Sequence, residues 1–211
     1  MKKYILFDHD GVLVDTEYWY FTANQQALAE INIELDLFSY LKNMSNGISC
    51  WHFARAAGVD ESIISIQRDK RNQYYQHYLQ HEDIEIPGVE AVLQDLAKDY
   101  EMAIVTTSKQ SDFDLIHKNR NIIQHMSFIL TRNDYKNAKP DAEPYLCALA
   151  KFNAKKTDVL IVEDSERGLK SAVAAGIDCA VVANEFTRSH DFSTATYRIE
   201  SLAELRHILT R

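Results

Sequence analysis

The 211-residue chain has only three cysteines, Cys50, Cys147 and Cys179, widely spaced and without a CxxC pair. An odd, scattered set excludes a disulfide framework and a zinc knuckle, so plain packed thiols are expected. Also missing is any stretch approaching the 18 or so apolar residues that a membrane-spanning helix needs. The opening MKKYILFDHD has two lysines, but its apolar run ends at Phe7, too short for the hydrophobic region of a signal peptide. A cytoplasmic protein with no membrane partner is expected. Positive charge is scarce too: 23 Lys and Arg stand against 31 Asp and Glu, a formal net charge of -8. That balance argues against a nucleic-acid partner. An anionic substrate would need positive charge concentrated locally. No internal repeat or low-complexity tract breaks the chain.

What is present suits a folded domain. Hydrophobic residues make up 46% and charged residues 26%, ordinary for a soluble globular protein. A chain of this length buries roughly 70% of its unfolded surface and needs no covalent staples. A monomer or weak homodimer is expected.

Short apolar runs ending in polar or acidic residues recur along the chain: YILFD from 4, MAIVTTS from 102, SFILT from 127, DVLIVED from 158 and CAVVA from 179. Helix-like segments alternate with them, namely VEAVLQDLAKDY after Gly88, a stretch near 111 to 120, EPYLCALAKF from 143 and ERGLKSAVAA from 166. Alternation of this kind predicts an α/β fold, a Rossmann-like three-layer α/β/α core around a parallel sheet. The continuous hydrophobicity of the runs fits strands covered on both faces.

Between the first two strands lie about 85 residues with no convincing strand, far more than a crossover uses. Their periodicity is helical: Leu28, Ile31 and Leu35 fall three and four apart, and SIISIQRDKRNQYYQHYLQ reads as a long polar-faced helix. Residues 16–86 are predicted to form an inserted α-helical domain, with 1–15 and 87–211 forming the core. Pro87 and Gly88 mark the return.

In open parallel sheets, ligands bind beyond the carboxyl ends of the strands. Asp8, Asp10, Thr106, Thr107, Ser108, Glu163 and Asp164 all follow apolar strand segments, and Lys139 lies in a loop after another. Four carboxylates cannot all ionise at close range: a like-charged pair at ~4 Å costs about 4 kcal/mol at an effective dielectric of 20. A hard divalent cation such as Mg2+ removes that conflict. Lys139 can hold a phosphate or a carboxylate as a point charge. Helix capping would explain Asp164 and Ser165 alone, but not the whole set.

DHDGVLVDTE, VTTS, KPDAEPY and VEDSERGLKSAVAAG, in this order, resemble the four signatures of the haloacid dehalogenase superfamily. The helical insert after the first motif is similar to the cap of its phosphatase and β-phosphoglucomutase branch. The resemblance implies a Mg2+-dependent phosphatase acting on a small phosphorylated metabolite through an aspartyl phosphate. Asp8 would be the nucleophile and Asp10 the general acid and base. Thr106, Thr107, Lys139 and the backbone at Gly11 would bind the phosphoryl group. Asp8, Asp164 and Glu163, with the Asp10 carbonyl, would hold the ion. The cap segment from Asn43 to Ser49, with Asn46 and Gly47, would enter the active site and select the leaving group.

Two rivals on the same scaffold are weaker. In the resemblance, mutases carry a histidine and an arginine where Tyr20 and Asn46 stand here, which favours hydrolysis. Phosphonate hydrolysis would need a cap lysine of lowered pKa, and neither Lys42 nor Lys70 sits in an apolar setting. A regulator that binds a phosphorylated ligand without turnover is disfavoured by the complete acid and cation set. Strand alternation points His9 away from Asp8 and Asp10, into packing. His77 and His81 read as a solvated helix face. Tyr18, Trp19, Tyr20 and Phe21 serve either core packing or a substrate pocket.

Overall fold

The computed structural model describes residues 2–210 apart from Asn46, and the main chain alone of Ser45. The chain divides into two compact units, Met1–Asp15 with Glu85–Arg211, and Thr16–Ile84.

The first unit is built on a six-stranded, fully parallel sheet of β1 (Tyr4–Phe7), β2 (Glu101–Val105), β3 (Phe128–Leu130), β4 (Val159–Glu163), β5 (Asp178–Val182) and β6 (Tyr197–Ile199). Its order is β3-β2-β1-β4-β5-β6, so the chain leaves β1 first toward β2 and later returns to its other side with β4. Tyr4 pairs with Glu101 on one side and Val159 on the other. The reversal beside β1 makes the carboxyl ends of β1 and β4 the switch point where a crevice forms.

Leu6, Ala103, Val105, Ile161 and Cys179 pack on one face against Tyr145, Ala148, Leu169 and Ala172. By alternation, Ile5, Phe7, Met102, Ile104, Leu160 and Val162 face the other side, and all are buried. Helices lie on both faces. The sequence-level α/β prediction therefore holds. One short strand, β6, was not anticipated: it lies past the polar stretch after β5, and three residues give too little pattern to read.

The helical unit contains α1 (Glu17–Ala29), α2 (Leu37–Ser45), α3 (His52–Ala56) and α4 (Glu61–His81). The remaining helices, α5 (Val89–Leu96), α6 (Gln110–His117), α7 (Glu143–Phe152), α8 (Glu166–Ala175) and α9 (Leu205–Leu209), belong to the sheet unit. α4 begins where the Asp60 side chain accepts the Ser62 N–H at 2.8 Å, an N-cap that orders its first turn. Its buried stripe runs Ile64, Gln67, Arg71, Tyr75, Leu79, at helical spacing, and α4 packs on α1. The helix that reads as polar-faced thus puts two of its polar residues inside. α1 ends at Ala29, before Ile31 and Leu35, because Asn32 adopts a positive φ of 59° that stops the helix. Leu35 is nonetheless buried. Cys50, Cys147 and Cys179 are free thiols.

Candidate active site

Asp8 follows β1 and Asp164 follows β4, while Glu163 ends β4, so adjacent strands deliver three acids to one place. One carboxylate oxygen from each of Asp8, Glu163 and Asp164 lies within 4.8 Å of the others. Lys139 is almost wholly buried, and its Nζ donates to Asp8 Oδ1 at 2.8 Å and to Glu163 Oε1 at 2.7 Å. The Tyr145 hydroxyl, from α7, donates to the same Glu163 oxygen at 2.6 Å. Lys139 also stands 4.8 Å from the centre of the Tyr145 ring, a cation-π distance.

One lysine serves two acids of this cluster, Asp8 and Glu163. Burial alone would push the Lys139 ammonium down, but the Asp8 and Glu163 charges outweigh it and the net shift is upward, so the lysine stays charged. Burial likewise raises Glu163, yet Lys139 and the Tyr145 hydroxyl bring it below its ordinary value. Asp8 is pushed up to about 6, first by burial and next by the Glu163 charge, against the pull of Lys139. A single buried cation thus faces two buried acids and does not fully compensate both. Three oxygens converging on one point, with one carboxylate undercompensated, are a donor set that fits a hard divalent cation. Among the described residues this is the one such group.

The local chain is shaped to let these oxygens meet. Gly11 has a φ of 78°, and a Cβ there would collide with Asp164 Oδ2 and stand 2.8 Å from Asn184 Nδ2. Gly168, on the first turns of α8, lies so close to Glu163 that a Cβ would overlap its carboxylate. The Ser165 hydroxyl caps α8 by accepting the Gly168 N–H at 3.1 Å.

Asp10 makes a second cluster. Its Oδ2 accepts from Ser108 Oγ at 2.5 Å and from Thr106 Oγ1 at 3.4 Å, and lies 3.3 Å from His9 Nδ1. The Asp10 side chain thus turns to hydroxyls, and the three acids that can share an ion are Asp8, Glu163 and Asp164. Thr107 accepts from the Arg167 guanidinium at 3.2 Å. Gly47 lies in an exposed turn of the helical unit, and Asn46 falls outside the described residues.

The chain matches the haloacid dehalogenase-like hydrolase family over residues 5–182. It belongs to that family. Among curated haloacid dehalogenase-like relatives, the phosphorylated carbohydrates phosphatase of Thermotoga maritima is 25% identical over 180 residues, 82% of each chain. The β-phosphoglucomutase of Bacillus subtilis is 26% identical over 184 residues, 83% of this chain and 80% of that one. The crystal structure of CbbY from Rhodobacter sphaeroides in complex with phosphate shares the fold, with a TM-score of 0.80 at 21% identity, covering 97% of this chain and 96% of that one.

Several contributors to this hydrolase-family site escaped sequence reasoning. Tyr145, Gly168 and Arg167 lie within helices whose periodicity describes packing alone. The Asn184 side chain, past β5, donates from Nδ2 to Asp164 Oδ2 at 2.7 Å, and its Oδ1 accepts the Phe186 and Thr187 N–H groups at 2.9 and 3.1 Å. The Asn-x-x-Thr spacing of that turn was the available signal. His9 is buried beside Phe113 and His117, as packing predicts, but its ring also reaches Asp10. β1 stops at Phe7, so the alternation that would turn His9 away no longer applies two residues on.

Proposed function

We propose that this hydrolase is a Mg2+-dependent phosphatase for a small phosphorylated metabolite, of the sugar or polyol phosphate kind, working through a phosphoryl group carried on Asp8. The observation that carries the reading is the buried Lys139 bridging Asp8 and Glu163 beside the converging oxygens of Asp8, Glu163 and Asp164. The names of the carbohydrate-phosphate phosphatase and the phosphosugar mutase among its relatives point to the same substrate class.

Asp8 attacks phosphorus, and the bond to the ester oxygen breaks as the new Asp8–phosphate bond forms. Asp10 gives its proton to the departing alkoxide, then takes one from the water that attacks the phosphoryl group. Lys139 keeps Asp8 aimed and offsets negative charge on the transferring oxygens, with Thr106, Thr107 and the Gly11 backbone as further candidate donors. Asp8, Glu163 and Asp164 would hold Mg2+, which supplies charge neutralisation for the phosphate. Substrate selection is assigned to the helical unit, as a cap.

Lys70 does not suit the amine chemistry of phosphonate hydrolysis: it pairs with Glu30, a contact that raises its pKa. Tyr20, at the place of the mutase histidine, is engaged by Arg71 at 2.5 Å. Phosphate release from a panel of sugar and polyol phosphates, with Mg2+ and after chelation, tests the proposal. Metal-dependent release that disappears in Asp8→Asn is the expected outcome. Binding without turnover would replace it with a regulatory role, and conversion of β-glucose 1-phosphate to glucose 6-phosphate with a mutase.

A further inference from the structure

The layer behind Asp10 contains two histidines that the mechanism above does not use. α6 places Phe113 and His117 four residues apart, hence on one helical face, and that face lies against His9. The ring centres are 4.9 Å apart for His9 and Phe113, 5.0 Å for His9 and His117, and 4.4 Å for Phe113 and His117. His9 is fully buried and His117 nearly so. Their Nε2 atoms are 2.8 Å apart, a separation that two imidazole nitrogens hold only with one proton between them.

The direction of that hydrogen bond follows from its far end. A carboxylate only accepts, so with Asp10 ionised His9 must donate from Nδ1 to Asp10 Oδ2 across 3.3 Å. A neutral His9 then has its lone pair on Nε2 and accepts the His117 Nε2–H. His117 is left with its lone pair on Nδ1, a buried atom with no hydrogen-bond partner among the described residues. The chain of donors thus runs His117 to His9 to Asp10. Together with Ser108 and Thr106, His9 brings a third donor to the same oxygen, Oδ2. Three donors on one oxygen put an acid proton on the other, Oδ1, and fix the plane of the carboxyl.

We infer that His117 is a positioning residue for Asp10: acting through His9, it holds the Asp10 carboxyl in the orientation from which a proton reaches the leaving oxygen. This rests on the reading of Asp10 as the acid and base. His9 alone cannot do it, because a neutral imidazole can rotate or exchange tautomers, and only the His117 Nε2–H commits its Nε2 to accepting and its Nδ1 to donating. Hydrogen bonds that orient a reacting group in this way are a general means of tuning active sites.

The test separates proton donation from everything else. An alkyl phosphate has a poor leaving group that needs the Asp10 proton, whereas 4-nitrophenyl phosphate leaves well without it. His117→Phe keeps the ring packing and removes the donor. One side of His117 borders a cavity of about 420 Å³ that Gln110, Asp114 and Asp134 also line, so a larger ring has room. His117→Gln keeps an N–H donor.

The expected result is a single-turnover rate of alcohol release from the best alkyl ester of the panel that falls about tenfold in His117→Phe, a partial loss of the 10²–10⁴ that acid catalysis supplies. Its KM should be unchanged, 4-nitrophenyl phosphate should change less than about twofold, and His117→Gln should restore most of the loss. Independently of turnover, nitrogen-resolved NMR of the histidine rings should show a His9 Nδ1 proton protected from exchange in the wild type and in His117→Gln, and unprotected in His117→Phe. Asp10→Asn is the control for the underlying reading, followed in the first, alcohol-releasing step because the later attack of water also uses Asp10: if it slows that step equally for both esters, Asp10 is not the acid. If Asp10→Asn separates the esters while His117→Phe slows both alike, or if the His9 proton is equally protected in all variants, the positioning role is wrong.

Discussion

Each of the two units buries a cation, and they compensate it differently. In the sheet unit, Lys139 is held by two carboxylates, Asp8 and Glu163, and a third, Asp164, stands beside them. In the helical unit, Arg71 on α4 spends its hydrogen bonds on neutral oxygens, 2.5 Å to the Tyr20 hydroxyl, 3.2 Å to Asn24 Oδ1 and 3.1 Å to Asn72 Oδ1. Its guanidinium lies 4.6 Å from the centre of the Tyr20 ring, and Cys50 shares the Asn24 oxygen at 3.4 Å. The first arrangement is a charge balance, where removing the lysine leaves its carboxylate partners repelling one another. The second is a dipole cage, where removing the cation strands, among the described residues, neutral groups. The buried charge matched by acids lies at the acid cluster, and the one matched by dipoles joins α4 to α1.

The largest effect belongs to Asp8. Asp8→Asn should cut Mg2+-dependent phosphate release by about 10³-fold or more. It should not unfold the protein, since burial and Glu163 already push the Asp8 carboxyl up to about 6 and oppose its ionisation. An Asp8→Asn protein that is folded and fully active would remove the sheet unit from the comparison. Next comes the contrast itself. Lys139→Met should cost about 3–5 kcal/mol in chemical denaturation, the range for breaking a buried ion pair. Arg71→Met should cost about 1–3 kcal/mol, the range for stranded neutral groups. Equal losses would show that the two cages work alike.

Gly168→Ala should lower stability by about 1–3 kcal/mol through overpacking and displace the Glu163 carboxylate that the added methyl would overlap. A variant with unchanged metal affinity would show that Glu163 holds Lys139 and nothing else. The smallest effect is on acid stability. Burial depresses His117 to about 3 from 6.5. The stability it contributes is therefore complete above about pH 6.5 and lost as pH falls toward 3. In metal-free protein, His117→Phe should flatten the fall in Tm between pH 7 and 4, and an unchanged profile would count against a buried neutral imidazole.

The sheet and the acids at its edge were legible because a parallel sheet collects every strand's carboxyl end on one side. Asp8, Thr106 and Asp164 needed only an apolar run followed by a polar residue to be placed. Glu163 was legible as an acid, but its partners Tyr145 and Gly168 were not, since each acts across helices brought together by packing. Arg71 was hidden for the opposite reason: its helix reads as polar-faced, and nothing local says which polar residues turn inward. His9 shows where a local rule ends, because strand alternation describes β1 and fails two residues past it.

Calorimetric titration of chelator-treated protein with Mg2+ is the most direct test of the crevice. One ion should bind per chain near neutral pH, and the binding should weaken as pH falls below about 6, where Asp8 takes up its proton. Asp164→Asn should weaken it further at every pH. If Mg2+ fails to bind, or binds Asp164→Asn as tightly as the wild type, the claim that Asp8, Glu163 and Asp164 form an ion site is contradicted.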